Sequence, residues 1–257
     1  MAIHLRQICL VAAELAPVRQ QLMDVFSILP CFVDEGVAKF GLENVLLPVG
    51  TQFLEVVAPT QDDTAAGRYL ARRGGDGGYM VICQVPTSAE QDACRQRAAD
   101  NGVRVAWEAD RGSYRLMQLH PRDMGAAFFE VDWDEPAELT GHWEPAGGSG
   151  WTEAVATDVV DAITGVELQG PDPIALAEHW GRVADSPAEL HDGLPTVRLA
   201  NADLTFVEAT DGRGPGLAGL TVRATDPDRL LAQAEARNCR TADDGVTVCG
   251  TRFRIAS

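Results

Sequence analysis

Two short segments of this 257-residue chain set a single carboxylate inside an otherwise apolar run: Phe53-Leu54-Glu55-Val56 and Phe128-Phe129-Glu130-Val131. Both runs read as strands. Alternation then puts Glu55 on one face with Phe53 and Val57, and Glu130 on one face with Phe128 and Asp132. Even a neutral polar group costs roughly 2–7 kcal/mol to bury without a partner, and an ionised carboxylate costs more. Each glutamate therefore needs a cation, a proton or a hydrogen bond, and their corresponding places near the ends of two similar units suggest one shared site. Two facing carboxylates supply oxygen donors for a hard divalent ion. Alternatively, with one kept protonated by burial and mutual repulsion, they supply an acid and a base for moving a proton beside a carbonyl. Strand glutamates satisfied by arginine or solvent are the plain structural alternative.

Other residues could join this chemistry. Gln7 shares a face with Cys9 and Val11 on the first strand. His120, followed by Pro121 and preceding the Glu130 strand, suits a proton shuttle, a substrate contact or the bracing of a turn. The stretch from Arg68 to Gly78 has three arginines and four glycines; it reads as a mobile basic loop able to clamp an acidic substrate, or as a solvated loop. Trp107 and Trp133 near strand ends could stack a flat ligand. No G-x-S-x-G elbow, phosphate-binding P-loop, dinucleotide G-x-G-x-x-G after a strand or H-E-x-x-H helix appears, so no nucleotide cofactor is expected.

The elements that must position these residues repeat. A strand at Gln7–Val11 and a helix at Glu14–Phe26 are followed by strands near Val37–Phe40, Asn44–Val49 and Gln52–Ala58. The order returns as strand Tyr79–Val85, helix Ser88–Asn101 and strands near Val103–Glu108, Tyr114–Leu119 and Ala127–Trp133. After a Gly- and Pro-rich stretch, two shorter copies run through Ile163–Ala209 and Leu217–Ala256. Asp172-Pro173 and Asp226-Pro227 mark their helix starts. The fold class is α+β, with four βαβββ units, two per domain: a first domain at 1–135, a linker at 136–153 and a second domain at 154–257.

This pattern resembles the glyoxalase-like, vicinal-oxygen-chelate superfamily, in which paired βαβββ units enclose a metal and substrate cleft. The resemblance is architectural over the whole chain. It is sharper in Gln52–Pro59, Arg68–Gly74 and Leu119–Gly125 through Glu130, which are similar to methylmalonyl-CoA epimerases. It implies metal ligands at Gln7, Glu55, Met80 or its neighbour Tyr79, and Glu130, with histidine usual where this chain has Gln7 and Met80. Phe206 and Arg254 occupy the corresponding places in the second domain, which is therefore expected to lack the chemistry. The implied activity is that of an epimerase, isomerase or lyase working through an enolate on a small oxygenated metabolite. Glu55, Glu130 and His120 would be catalytic, and Gln7, Arg68, Met80 and Tyr79 would bind substrate. Glu55, Glu130 and Gln7 would hold a divalent ion (Mn, Mg, Co, Ni or Zn). The superfamily's non-catalytic antibiotic-binding proteins, of the bleomycin-resistance type, are the alternative; a ring-cleaving dioxygenase ranks last because it needs a histidine pair.

Bulk properties narrow the partners. The formal charge of −17, from 38 acidic and 21 basic residues, opposes nucleic acid and anionic membranes. No apolar run is long enough to span a bilayer, and the first residues lack a signal-peptide pattern, so a cytoplasmic protein is expected. The six cysteines are expected to be reduced, with a Cys239–Cys249 bridge the alternative. Exposed sheet edges could pair two copies into a homodimer.

Overall fold

The computed structural model describes residues 3–241 and 245–256, and its elements recur four times along the chain. The first module has β1 (His4–Val11), α1 (Leu15–Phe26), a 3-10 helix (Glu35–Phe40) and the hairpin β2 (Leu42–Val49) and β3 (Gln52–Pro59). After α2 (Ala65–Arg73), the second module runs β4 (Gly77–Gln84), α3 (Ser88–Asp100), β5 (Val105–Asp110), β6 (Tyr114–Leu119), the short α4 (Pro121–Met124) and β7 (Phe128–Asp134). The third has β8 (Val160–Gly170), α5 (Pro173–Ala184), β9 (Glu189–His191), β10 (Leu194–Arg198) and β11 (Asp203–Glu208). The fourth has β12 (Gly216–Ala224), α6 (Pro227–Ala236), β13 (Val246–Val248) and β14 (Thr251–Ala256).

A helical crossover lets the first strand of a module lie parallel to its last: β4 with β7, β8 with β11 and β12 with β14. The ladders β2–β3, β5–β6, β6–β7, β9–β10, β10–β11 and β13–β14 are antiparallel. The crossover helices start where side chains satisfy free amides. Thr87, Asp172 and Asp226 accept from the N–H groups of Glu90, Ala175 and Arg229, with proline in the first turn of α5 and α6. Helix α1 buries Val18, Leu22, Val25 and Phe26, a single apolar stripe.

Two sequence expectations are corrected. Val37–Phe40 is part of a 3-10 helix rather than a strand, because Asp34 caps the Gly36 amide and Gly41 closes the turn in the left-handed region. Arg68 belongs to the helix α2 rather than to a loop. Thr64 caps the Gly67 amide there, Tyr69 and Leu70 are buried, and the helix ends at left-handed Gly74.

The chain divides into two units that follow modules rather than halves. The first comprises the stretch ending at Gln7, Tyr79–Glu144 and Gly165–Leu217, and so joins the second and third modules; the second comprises Ile8–Gly78, Pro145–Thr164 and the stretch from Ala218, joining the first and fourth. The sequence reading had paired modules in chain order. In the first unit, α3 lies on α5: Arg97 Nε donates to the Val183 carbonyl at 2.9 Å, and Trp180 Nε1 to that of Met124 at 2.8 Å. Trp180 is fully buried beside Phe129 and Phe206, with ring centroids 5.1 and 6.2 Å away. In the second unit, α1 meets α6. Phe26 and Phe253 are 4.7 Å apart, Arg237 pairs with Asp24 at 2.7 Å, and Ser27 accepts from Gln233 at 3.1 Å. The segment 136–153 is anchored rather than free, since Trp143 and Trp151 are both buried.

All six cysteines, Cys239 and Cys249 included, are free thiols. Burial pushes Cys83 well above the usual thiol range and Cys94 up to about 11, which suppresses their thiolates. No helix among the described residues is long and apolar enough to cross a membrane.

Candidate functional site

Alternation on β7 separates two environments within the first unit. Phe129 and Val131 are fully buried, Phe129 against Trp180 of α5. Glu130, Asp132 and Asp134 share the opposite face at 3%, 0% and 1% exposure, three carboxyl groups in five residues with almost no water. On β4, Ile82 lies opposite Glu130 and Gln84 opposite Asp132. On β6, Gln118 lies opposite Glu130 and Tyr114 opposite Asp134. Directly opposed residues point to the same side of a sheet, so Gln84, Tyr114 and Gln118 share the carboxyl face. Phe128 and Gln118 are half-buried and form its open margin beside Glu130.

The three carboxyls are handled differently. Asp134 is fully supplied with donors: Gln84 Nε2 at 3.0 Å, the Ala137 amide at 3.0 Å and His142 Nδ1 at 3.1 Å. Arg6 completes this end. Its Nη1 donates to Gln84 Oε1 at 2.8 Å and to the Glu138 carbonyl at 2.7 Å, Nη2 reaches the Gly141 carbonyl at 3.1 Å, and the guanidinium lies 5.0 Å from the Trp143 ring centroid. Burial lowers Arg6 to about 10 even though Asp134 and Glu138 pull it upward. Asp132 has no cation in hydrogen-bond contact among the described residues. Its Oδ2 accepts from Tyr114 Oη at 2.8 Å, while Oδ1 has no partner at normal hydrogen-bond distance. Desolvation raises the Asp132 carboxyl well above the ordinary range, the neighbouring Glu130 charge raises it further, and the Tyr114 bond pulls only partly the other way. Tyr114 is itself pushed well up, first by burial and then by Asp132.

Among the described residues no three His, Cys, Asp or Glu side chains form a group that could hold a metal ion. The amide oxygen of Gln7 accepts from Trp143 Nε1 at 2.9 Å.

The first unit also contains Tyr79, Met80 and His120. Tyr79 packs edge-on against Phe128 at 5.1 Å, and Met80 lies opposite Phe128 in the β4–β7 ladder. His120 caps α4, its Nδ1 accepting from the Arg122 amide at 3.2 Å, which is the turn-bracing role. Glu55 and Arg68 lie in the second unit. Glu55 Oε1 accepts from Asn44 Nδ2 at 2.7 Å, and Asn44 Oδ1 in turn accepts from the Asp34 amide at 2.9 Å. Arg68 forms an exposed pair with Asp63 at 2.7 Å. Sequence reasoning missed Tyr114, Gln84, Asp134 and Arg6. The parity of Glu130, Asp132 and Asp134 was the available signal.

No family model matches the sequence, and a search of curated proteins found no match. Solved structures are similar in fold. A triple mutant of 4-hydroxymandelate synthase from Streptomyces coelicolor aligns over 94% of this chain and 78% of its own, with a TM-score of 0.67 and 17% identity. A hypothetical protein from Staphylococcus aureus aligns over 100% of this chain and 99% of its own, with a TM-score of 0.63 and 12% identity. A methylmalonyl-CoA epimerase variant from Streptomyces coelicolor, in complex with 2-nitronate-propionyl-CoA, covers 52% of this chain and 99% of its own, with a TM-score of 0.45 and 21% identity. Matched almost end to end by 4-hydroxymandelate synthase, a glyoxalase-like protein, the chain has the vicinal-oxygen-chelate fold.

Proposed function

We propose that this chain is an enzyme of the epimerase, isomerase or lyase kind that moves a proton at a carbon beside a carbonyl of a small oxygenated metabolite. The base would be Glu130 on the polar face of β4, β6 and β7. The observation that carries the reading is the Glu130–Asp132 pair: two buried carboxyls on one face, with burial and the neighbouring Glu130 charge raising Asp132 well above its ordinary range. Environments that push two carboxyls apart in protonation are how a fold provides a base and an acid at the same pH. Glu130 is the member beside the half-buried Phe128 and Gln118, where a ligand would enter.

The alternative is a non-catalytic small-molecule binder of the same fold. It is favoured by the internal partners of Gln7 and Glu55, which tie two of the expected reactive side chains into Trp143 and Asn44. A thermal-shift screen of 2-oxo acids, 2-hydroxy acids, acyl-CoA thioesters and flat aromatic compounds separates the two, with every hit then followed by proton NMR in D2O. The enzyme reading predicts that a carbonyl-containing hit loses its α-hydrogen signal to deuterium. Stabilising hits that are all aromatic and chemically unchanged would replace it with the binder.

A further inference from the structure

We infer that Trp107 is a specificity-determining residue of the Glu130 face, its indole stacking on an aromatic ring carried by the carbonyl compound that Glu130 acts on. The inference rests on Glu130 being the base of the proposed reaction and adds to it the class of substrate.

The strand register carries the assignment. Trp107 of β5 lies directly opposite Gln118 of β6, Gln118 opposite Glu130 of β7, and Glu130 opposite Ile82 of β4. Opposed side chains share one side of a sheet, so these four residues form a single row across four strands. The other side is fixed independently by α3: Glu108, next to Trp107, pairs with Arg95 of that helix, and Arg115 of β6 pairs with Asp92. Trp133 lies opposite Arg115 and therefore belongs to the helix side. Of the two tryptophans that the sequence offers for stacking a flat ligand, only Trp107 stands on the face of Glu130. Exposure rises along the row, from 3% at both Ile82 and Glu130, through the half-buried Gln118, to 40% at Trp107. A dry acid thus leads to an open aromatic surface, with Gln118 between them presenting an amide that can both donate and accept. Neighbouring strands are about 4.8 Å apart, which sets Trp107 roughly 10 Å from Glu130 along the row. A ring stacked on the indole, with centroids about 4.5–7 Å apart, carries its substituent over Gln118 toward Glu130. The Gln118 amide then donates to the carbonyl oxygen and turns the neighbouring C–H toward the base. Phe128, two residues from Glu130 on the same face and packed edge-on against Tyr79 at 5.1 Å, supplies a second aromatic wall. A saturated ring of the same size fills the space but lacks the flat π face that the indole stacks on.

The test measures binding, so its outcome is separate from that of the proposed reaction. Calorimetric titration of the full-length protein would use two matched pairs that differ only in the ring: phenylacetone against cyclohexylacetone, and phenylpyruvate against cyclohexylpyruvate. The wild type should bind the aromatic member of a pair about tenfold more tightly. Trp107→Phe, which keeps a ring, should retain most of that preference, and Trp107→Ala should abolish it. Trp133→Ala, on the helix side, should leave it unchanged. Equal affinities within both pairs, or no binding of either aromatic compound to the wild type, would overturn the inference. So would a ring preference that survives in Trp107→Ala, whose fold is checked by circular dichroism. A Trp107-dependent preference without deuterium uptake at the α-carbon would instead count against the reaction assigned to Glu130 and leave the role of Trp107 in recognition standing.

Discussion

Replacing Asp132 by asparagine changes the pH dependence of stability in a direction fixed by the structure. Asparagine keeps the shape of the side chain; its amide can donate where the acid proton was, and its carbonyl can accept from Tyr114 Oη, which is 2.8 Å from Asp132 Oδ2. In the wild type, burial and Glu130 raise the Asp132 carboxyl well above its ordinary range. Once the pH passes about 4 the unfolded chain releases this proton while the folded chain retains it. The native state then binds more protons than the unfolded state, so stability falls as pH rises, by about 1.4 kcal/mol per unit for one proton, until the folded carboxyl also ionises. Asp132→Asn has no such titration. Its stability relative to wild type should therefore climb with pH through that window. Any constant packing cost of the substitution cancels from the slope. Urea melts followed by tryptophan fluorescence at a series of pH values measure it, with equal m-values confirming that only stability has changed. Parallel stability curves for the two proteins would refute the reasoning, because they would mean that Asp132 is ionised in the folded state.

Three further substitutions probe how the modules are held. Trp180→Ala removes a fully buried ring between Phe129 and Phe206 together with its bond to the Met124 carbonyl, and should cost about 3–5 kcal/mol in chemical denaturation. Gly50→Ala acts in the second unit, where Gly50 has φ +61° and an added Cβ would lie 2.0 Å from the Asp161 carbonyl oxygen. The left-handed conformation alone costs about 1–2 kcal/mol, and the clash makes the drop in thermal midpoint larger than that of a surface alanine control. Asn44→Ala takes the amide from Glu55 Oε1 and should lower stability in chemical denaturation by about 1–3 kcal/mol.

Much of this fold is legible in the sequence because its signals are local. The apolar stripe of α1 and the Asp-Pro starts of α5 and α6 locate the crossover helices, and alternation locates β3 and β7. The helix α2 is not legible in the same way: its arginines and Gly67 read as a loop, and the decisive feature is the Thr64 cap. The joining of the second module to the third depends on contacts such as Arg97 with Val183 and His179 with the Asp123 carbonyl, between residues with no common local pattern. The site divides along the same line. Parity places Glu130 and Asp132 on one face, but the Tyr114 bond spans 18 residues and requires the β6–β7 register that sets Tyr114 opposite Asp134. Glu55 and Glu130 look equivalent as sequence, yet one accepts from a neutral amide in the second unit and the other neighbours a carboxyl that burial raises well above its ordinary range in the first.

The reaction assigned to Glu130 is tested most directly by the rate of deuterium uptake at the α-carbon of whichever carbonyl compound the wild-type protein binds, measured in parallel for Glu130→Gln and Glu55→Gln at equal folded concentration. Loss of the base in Glu130→Gln should slow uptake by roughly 100- to 10,000-fold, while Glu55→Gln, whose carboxyl serves Asn44, should exchange at a rate close to wild type. Uptake that is undiminished in Glu130→Gln would contradict the account.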